Sequence, residues 1–205
     1  MAVVAITGEV ASGKSSVLKL LARKGAHIFS ADKKIHQLYR NPKSSVYKKI
    51  AKLFPEVLAG QGSAISRKKL GAIVFSDTAK RRRLERVIHP AVIGELLRWV
   101  AFADKKKAVS VAEVPLLFEK KLQPYFDYTV LVTARQDILI KRIRQKYNLS
   151  AGAALRRLKL FLPTAQKIKM ADFIIDNSSN MGRLQKEVEL LWKKLKQKQR
   201  PITIR

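Results

Sequence analysis

Cysteine is absent from this chain of 205 residues. That excludes disulfides and any thiolate-held zinc or iron–sulfur centre, and it fits a reducing compartment. Acidic residues are scarce: 15 Asp and Glu stand against 43 Lys and Arg, a formal charge of +28. Aromatics make up 7% of the chain and form no paired platform on which nucleic-acid bases would stack. Long apolar runs are missing as well. No stretch approaches the ~18 uncharged apolar residues of a spanning helix. The opening run Ala2-Val3-Val4-Ala5-Ile6 is too short for a signal-peptide core and lacks a basic leader. A soluble, cytoplasmic protein with no membrane partner is expected. What is present is a 47% hydrophobic fraction, which a disordered polycation would not carry. This length supports one sizeable core with satellite segments. The charge attracts polyanions, whether nucleic acid, anionic lipid or small phosphorylated molecules, and does not choose among them.

Short runs rich in Val and Ile alternate with longer helical patterns. Strands are predicted at Ala2 to Thr7, Ala26 to Ser30, Ala108 to Ala112, Tyr128 to Thr133 and Phe173 to Asp176. Few polar residues interrupt them, as suits strands buried on both faces of a parallel sheet. Helical patterns cover Lys14 to Lys24, Pro90 to Ala103, Gln136 to Lys146 and Gly182 to Lys198. The alternation predicts a doubly wound α/β domain. Two stretches depart from it, Lys33 to Lys107 and Lys146 to Ala171, and both read as helical insertions. The first is broken at Asn41-Pro42 and at Gly60-Gln61-Gly62, the second at Pro163. The basic tail from Lys193 to Arg205 reads as a fraying helix end.

Gly8-Glu9-Val10-Ala11-Ser12-Gly13-Lys14-Ser15 satisfies G-x-x-x-x-G-K-[ST] between a predicted strand and a predicted helix. At average usage the fixed positions match by chance in about one chain of this length per hundred. Polyphosphates need several backbone N–H groups converging on one point, and glycines let the backbone wrap that closely. The positive end of the next helix adds to the field. Lys14 would reach the β- and γ-phosphates and the Ser15 hydroxyl would ligate Mg²⁺. A plain strand–turn–helix junction is the alternative. Glu9 places a carboxylate beside this site, and its side chain is expected to point away or to pair with a lysine.

Phosphoryl transfer also needs a group that orients the attacking hydroxyl and accepts its proton. Ligands of open parallel sheets bind beyond the carboxyl ends of strands. Asp32 follows the second predicted strand and Glu113 the third. Asp32 is the candidate base, with a helix N-cap as its other reading. Glu113 is a candidate to hold a magnesium-bound water or to fix the acceptor, with a solvated turn carboxylate as its alternative. His89-Pro90 reads first as a helix start with proline at the first position.

Taken together, these segments resemble the dephospho-CoA kinase family over nearly the whole chain. The resemblance rests on Ile6-Thr7-Gly8 with the phosphate loop, Gly25, Ser30-Ala31-Asp32, Ser66 to Leu70 with Val74-Phe75, and Ile88-His89-Pro90. It continues through Glu113-Val114-Pro115-Leu116-Leu117-Phe118-Glu119, Phe126-Asp127, Lys167, and Ala171-Asp172 to Asn177. It implies a P-loop kinase fold: a five-stranded parallel sheet flanked by helices, with a helical substrate-side insertion and a helical lid. A single domain is implied, with its core at 1–32, 108–138 and 171–205, a helical CoA-side region at 33–107 and a lid at about 139–163. The implied reaction is ATP- and Mg²⁺-dependent phosphorylation of the ribose 3′-hydroxyl of dephospho-CoA. Gly8, Ala11, Ser12, Gly13, Lys14, Ser15, Ser16, Arg142 and Asn177 would then meet ATP. Asp32, His89, Glu113 and Leu117 would meet the acceptor, Lys14, Asp32 and Arg142 would be catalytic, and Arg157 would be a second lid cation. A monomer or weak homo-oligomer without specific nucleic-acid binding is expected.

The chain departs from the family pattern at Glu9 and Ala11, which replace glycines, and at Ser16, which replaces threonine. Lys146-Tyr147 stands for Arg-Asp and Phe161 for Gln. Two other functions stay open on the sequence: a different P-loop kinase acting on nucleosides or nucleotides, and a basic nucleic-acid-binding protein with a secondary loop.

Overall fold

Strand β1 (Val3–Gly8) is buried along all six residues. An uninterrupted apolar strand is stable only with strands beside it and cover on both faces. The computed structural model describes residues 2–60, 62–103 and 109–197. The sheet contains β1, β2 (His27–Ser30), β3 (Ser110–Glu113), β4 (Tyr128–Thr133) and β5 (Phe173–Asp176), in the order β2-β3-β1-β4-β5. The pairings of β1 with β3, β1 with β4, and β4 with β5 are parallel. Ile6 sits opposite Glu113, Gly8 opposite Val132, and Thr133 opposite Asp176. The ends of β1, β3, β4 and β5 therefore share one edge, where the phosphate loop emerges.

The other edge is fastened by two of the few acids. Asp127 accepts a hydrogen bond from the Val3 amide at 2.7 Å. Asp172 accepts from the Thr129 amide at 2.8 Å and from its hydroxyl at 2.7 Å. Helices α1 (Lys14–Arg23) and α9 (Met181–Gln197) pack against the sheet through Val17, Leu18, Leu21, Leu184, Val188, Leu191, Trp192 and Leu195. Helix α1 ends in a Schellman pair of bonds, Ala26 to the Leu21 carbonyl and Gly25 to that of Ala22.

The chain divides into two compact units, residues 1–29 with 99–205, and residues 30–98. The first holds the sheet, the helices just named, and α6 (Gln136–Tyr147), α7 (Ala151–Leu158) and α8 (Thr164–Met170). The second contains α2 (Ala31–Arg40), α3 (Ser45–Leu53), α4 (Arg67–Ser76) and most of α5 (Thr78–Ala103). Its own core gathers Tyr39, Val46, Tyr47, Ile50, Phe54, Val57, Ile65, Leu70, Val74 and Leu84. Burial pushes the Tyr39 phenol well above its usual pKa, against a smaller opposing effect of Arg67.

Three expectations need correction. The helix expected to start at Pro90 starts at Thr78, where Asp77 accepts from the amides of Ala79 at 2.8 Å and Lys80 at 3.0 Å. Pro90 lies inside it and cannot donate to the Arg86 carbonyl, a defect that costs about 3 kcal/mol in an isolated helix. Val87, Ile88 and Ala91 pack on the second core on both sides of the proline and carry the helix through. Strand β5 is half exposed, with Ile174 outward, because it is an edge strand rather than one buried on both faces. Asp32 is not the N-cap of α2; the Ser30 hydroxyl takes that place and accepts from the Lys33 amide. The expected strand start at Ala108, Gln61 of the glycine break and the tail beyond Gln197 lie outside the described residues.

Candidate active site

Serine hydroxyls cap α2, α3, α4 and α7, whereas no side chain caps α1. The N-cap of α1 is Gly13 in the left-handed region at φ 99°, which turns the chain from the loop into the helix. Helix-terminal amides not spent on a cap are free for an anion, where the helix dipole assists. The loop leaves no room for side chains at its fixed glycines. A Cβ on Gly8 would fall 2.0 Å from the Val132 carbonyl oxygen, and one on Gly13 2.1 Å from Nδ2 of Asn177. Ala11 occupies the left-handed region at φ 64°, a conformation that glycine adopts more easily.

Lys14 folds back over this loop. Its ammonium donates to the carbonyls of Gly8 at 3.0 Å and Glu9 at 2.9 Å. Asn177, one residue past β5, is buried, and its side-chain amide donates to the Ser12 carbonyl at 2.8 Å. Arg142 projects from α6 to the same place, donating to the carbonyls of Asn177 at 3.0 Å and Ala11 at 3.5 Å. Its neighbours Lys141 and Arg144 are exposed, so Arg142 is set apart from the solvated cations of its helix. Ala11, Gly13, Ser16, Arg142, Asn177 and Ser179 are among the residues around a cavity of about 270 Å³ beside the loop. Loop, helix N-terminus, two cations and an adjoining cavity form an arrangement suited to a nucleotide polyphosphate.

Glu113 ends β3 and is buried. Among the described residues no cluster of three His, Asp or Glu side chains is placed to hold a metal ion. A Mg²⁺ that arrives with phosphates keeps most of its water and takes only one or two protein oxygens. Ser15 lies in the first turn of α1 and could supply one of them.

The sequence profile of the dephospho-CoA kinase family matches residues 2–182. The chain belongs to the dephospho-CoA kinase family. A dephospho-CoA kinase of Helicobacter pylori is 35% identical over 195 residues, covering 94% of this chain and 96% of that one. Another, from Fusobacterium nucleatum, is 34% identical over 188 residues, covering 91% and 95%. The solved structure of the dephospho-CoA kinase from Campylobacter jejuni superposes with a TM-score of 0.70 at 27% identity, covering 95% of this chain and 97% of that one. The fold is that of the P-loop kinases.

The remaining expected residues of this dephospho-CoA kinase family member are placed as follows. Leu117 is fully buried and supports the loop after β3 from within. Arg157 on α7 sets its guanidinium 4.0 Å from the ring centroid of Tyr147, the tyrosine that departs from the family pattern. In the second unit, Asp32 is exposed in the first turn of α2, two residues past β2, and His89 is half-buried within α5. His36, one turn beyond Asp32, has its pKa lowered by burial and by Arg67 and Arg40, while Asp32 pulls it the other way.

Glu9 does not pair with a lysine. Its carboxylate is buried and accepts from the Thr164 hydroxyl at 2.6 Å. Glu119 accepts from the Leu162 amide at 3.3 Å and pairs with the ammonium of Lys167 at 2.9 Å, a lysine with no exposed surface. Spacing alone did not single out either contact. The only signal was that Glu119 and Lys167 both fall within the segments that resemble the family.

Proposed function

We propose that this protein transfers the γ-phosphoryl group of ATP to the ribose 3′-hydroxyl of dephospho-CoA, giving CoA and ADP. The observation that carries this reading is a formed phosphate loop in a chain whose family match runs from residue 2 to residue 182. Lys14 exchanges the carbonyls of Gly8 and Glu9 for the β- and γ-phosphates, and the first-turn amides of α1 hold the same oxygens. Mg²⁺, held by the Ser15 hydroxyl with Glu113 reaching it through water, would neutralise charge on the nucleotide phosphates. Asp32 takes the proton of the 3′-hydroxyl as its oxygen attacks the γ-phosphorus and the bond to the β-phosphate oxygen breaks. Asp32 is exposed in the first turn of α2, whose N-cap is Ser30, which supports this role. Arg142 stabilises charge that develops on the transferring group, from an anchor already against the loop. Asn177 shapes the loop through the Ser12 carbonyl and lines the cavity that receives the nucleoside end. His89 is assigned to binding of the acceptor. The segment from about 139 to 163 acts as a lid that excludes water while bringing Arg157 to the phosphates beside Arg142.

A coupled assay of ADP release with purified protein tests the reading. Release is expected with dephospho-CoA and not with adenosine or AMP. Release with adenosine or AMP alone would assign the loop to a different kinase reaction.

A further inference from the structure

Glu9 occupies two roles at once, one through its backbone and one through its side chain. Its carbonyl accepts from Lys14, the cation placed to meet the phosphates, and from the Ser12 amide at 3.2 Å. Its carboxylate, 6% exposed, accepts from Thr164, the first residue of α8. Thr164 directly follows the stretch Phe161-Leu162-Pro163 that ends the helical pair α6 and α7. The same stretch is pinned a second time by Glu119, through Leu162 and Lys167. Glu9, Phe161, Leu162, Pro163 and Thr164 are among the residues that line a largely apolar cleft of about 560 Å³, with Leu139 and Leu155. The first residue of α8, just past the segment that follows the helical pair, is thus hydrogen-bonded to a side chain of the phosphate loop.

We infer that Glu9 is a positioning residue, which with Thr164 latches the trailing end of the lid to the phosphate loop. The inference rests on the proposed kinase reading for the word lid, and on the contacts above for the latch. Glu9 touches no substrate in this account. It fixes the point from which α7, with Arg157, approaches the loop. The second oxygen of the carboxylate has no hydrogen-bond partner among the described residues. A buried acceptor left in that state is costly unless the arrangement serves something else.

The test is a double-mutant cycle of Glu9→Ala and Thr164→Val with two readouts. In steady-state assays each single variant should lower kcat about tenfold, the scale of a small misplacement of reacting groups. The double variant should be no worse than either single one, because both remove one contact. The KM for ATP should stay within about twofold, since loop amides and Lys14 set it. Thr164→Ser, which restores a hydroxyl, should recover kcat. In the second readout, hydrogen exchange without any acceptor, Thr164→Val and Glu9→Ala should each speed exchange of amides 161–167, and Thr164→Ser should not. That readout stands even if dephospho-CoA proves not to be the acceptor, so the two readings fail separately. Losses of kcat that add, or unchanged exchange in both single variants, would overturn the latch.

Discussion

Lys14 is held between two loop carbonyls and must leave them for a phosphate to be gripped. Replacing it with alanine removes the cation, so kcat/KM is expected to fall about a thousandfold or more while the far-ultraviolet circular dichroism stays unchanged. Asp32→Asn preserves size and polarity but cannot take a proton, and a fall in kcat of about 10²–10⁴-fold is expected from steady-state assays. A wild-type kcat in that variant would remove Asp32 from the chemistry. Gly13→Ala forces a methyl group onto the Asn177 amide, which holds the Ser12 carbonyl. Equilibrium titration should show ATP affinity lost in that variant, whereas Asn177→Ala should weaken it only in part. The identities of the loop residues were legible from the sequence because the motif is local. The Asn177 amide and the Glu9 hydroxyl contact were not, since they join residues 165 and 155 positions apart and spacing does not say which side chains meet.

At the scale of elements, β4 and β5 begin and end where the apolar runs do, and β1 is displaced by one residue. Such runs are legible because burial on both faces leaves little freedom in composition. Helix α5 was not legible at its start, because Pro90 resembles a first-turn proline and packing, not propensity, overrides it. The pair of half-buried Glu119 and fully buried Lys167 ties α8 to the loop after β3. Removing one partner leaves a buried charge, so Glu119→Ala is expected to cost about 3–5 kcal/mol in urea denaturation. Glu119→Leu combined with Lys167→Met should recover most of that loss. On α5, a hydrogen bond from Lys34, with smaller help from Arg98, lowers the Glu95 carboxyl below its usual 4.5. The depressed value means the unfolded chain binds the proton first as pH falls. The stabilisation from Glu95 is therefore complete above 4.5 and lost as pH drops through the lowered value. Glu95→Gln should flatten that part of a Tm-against-pH profile relative to the parent protein.

Over the whole molecule, the charge of +28 exceeds what the phosphate site uses. The proposed reaction assigns three cations, Lys14, Arg142 and Arg157, to it, and several acids are committed to structural contacts: Asp127 and Asp172 at the sheet, Glu119 with Lys167 of α8, Glu9 on Thr164. The general field still acts on anions at a distance. Raising salt from about 10 to about 100 mM shortens its reach from about 30 to about 10 Å. Stopped-flow mixing with a fluorescent ATP analogue should show an association rate that falls across that range, with a dissociation rate that changes far less. The central claim is narrower than charge: a family-typical loop joined to an acceptor-specific reaction. The measurement that tests it most directly is ADP release by the purified protein with ATP and Mg²⁺, with and without dephospho-CoA. Release should require dephospho-CoA and yield one CoA per ADP; ADP formed at the same rate without dephospho-CoA, or none formed with it, would overturn the proposed reaction.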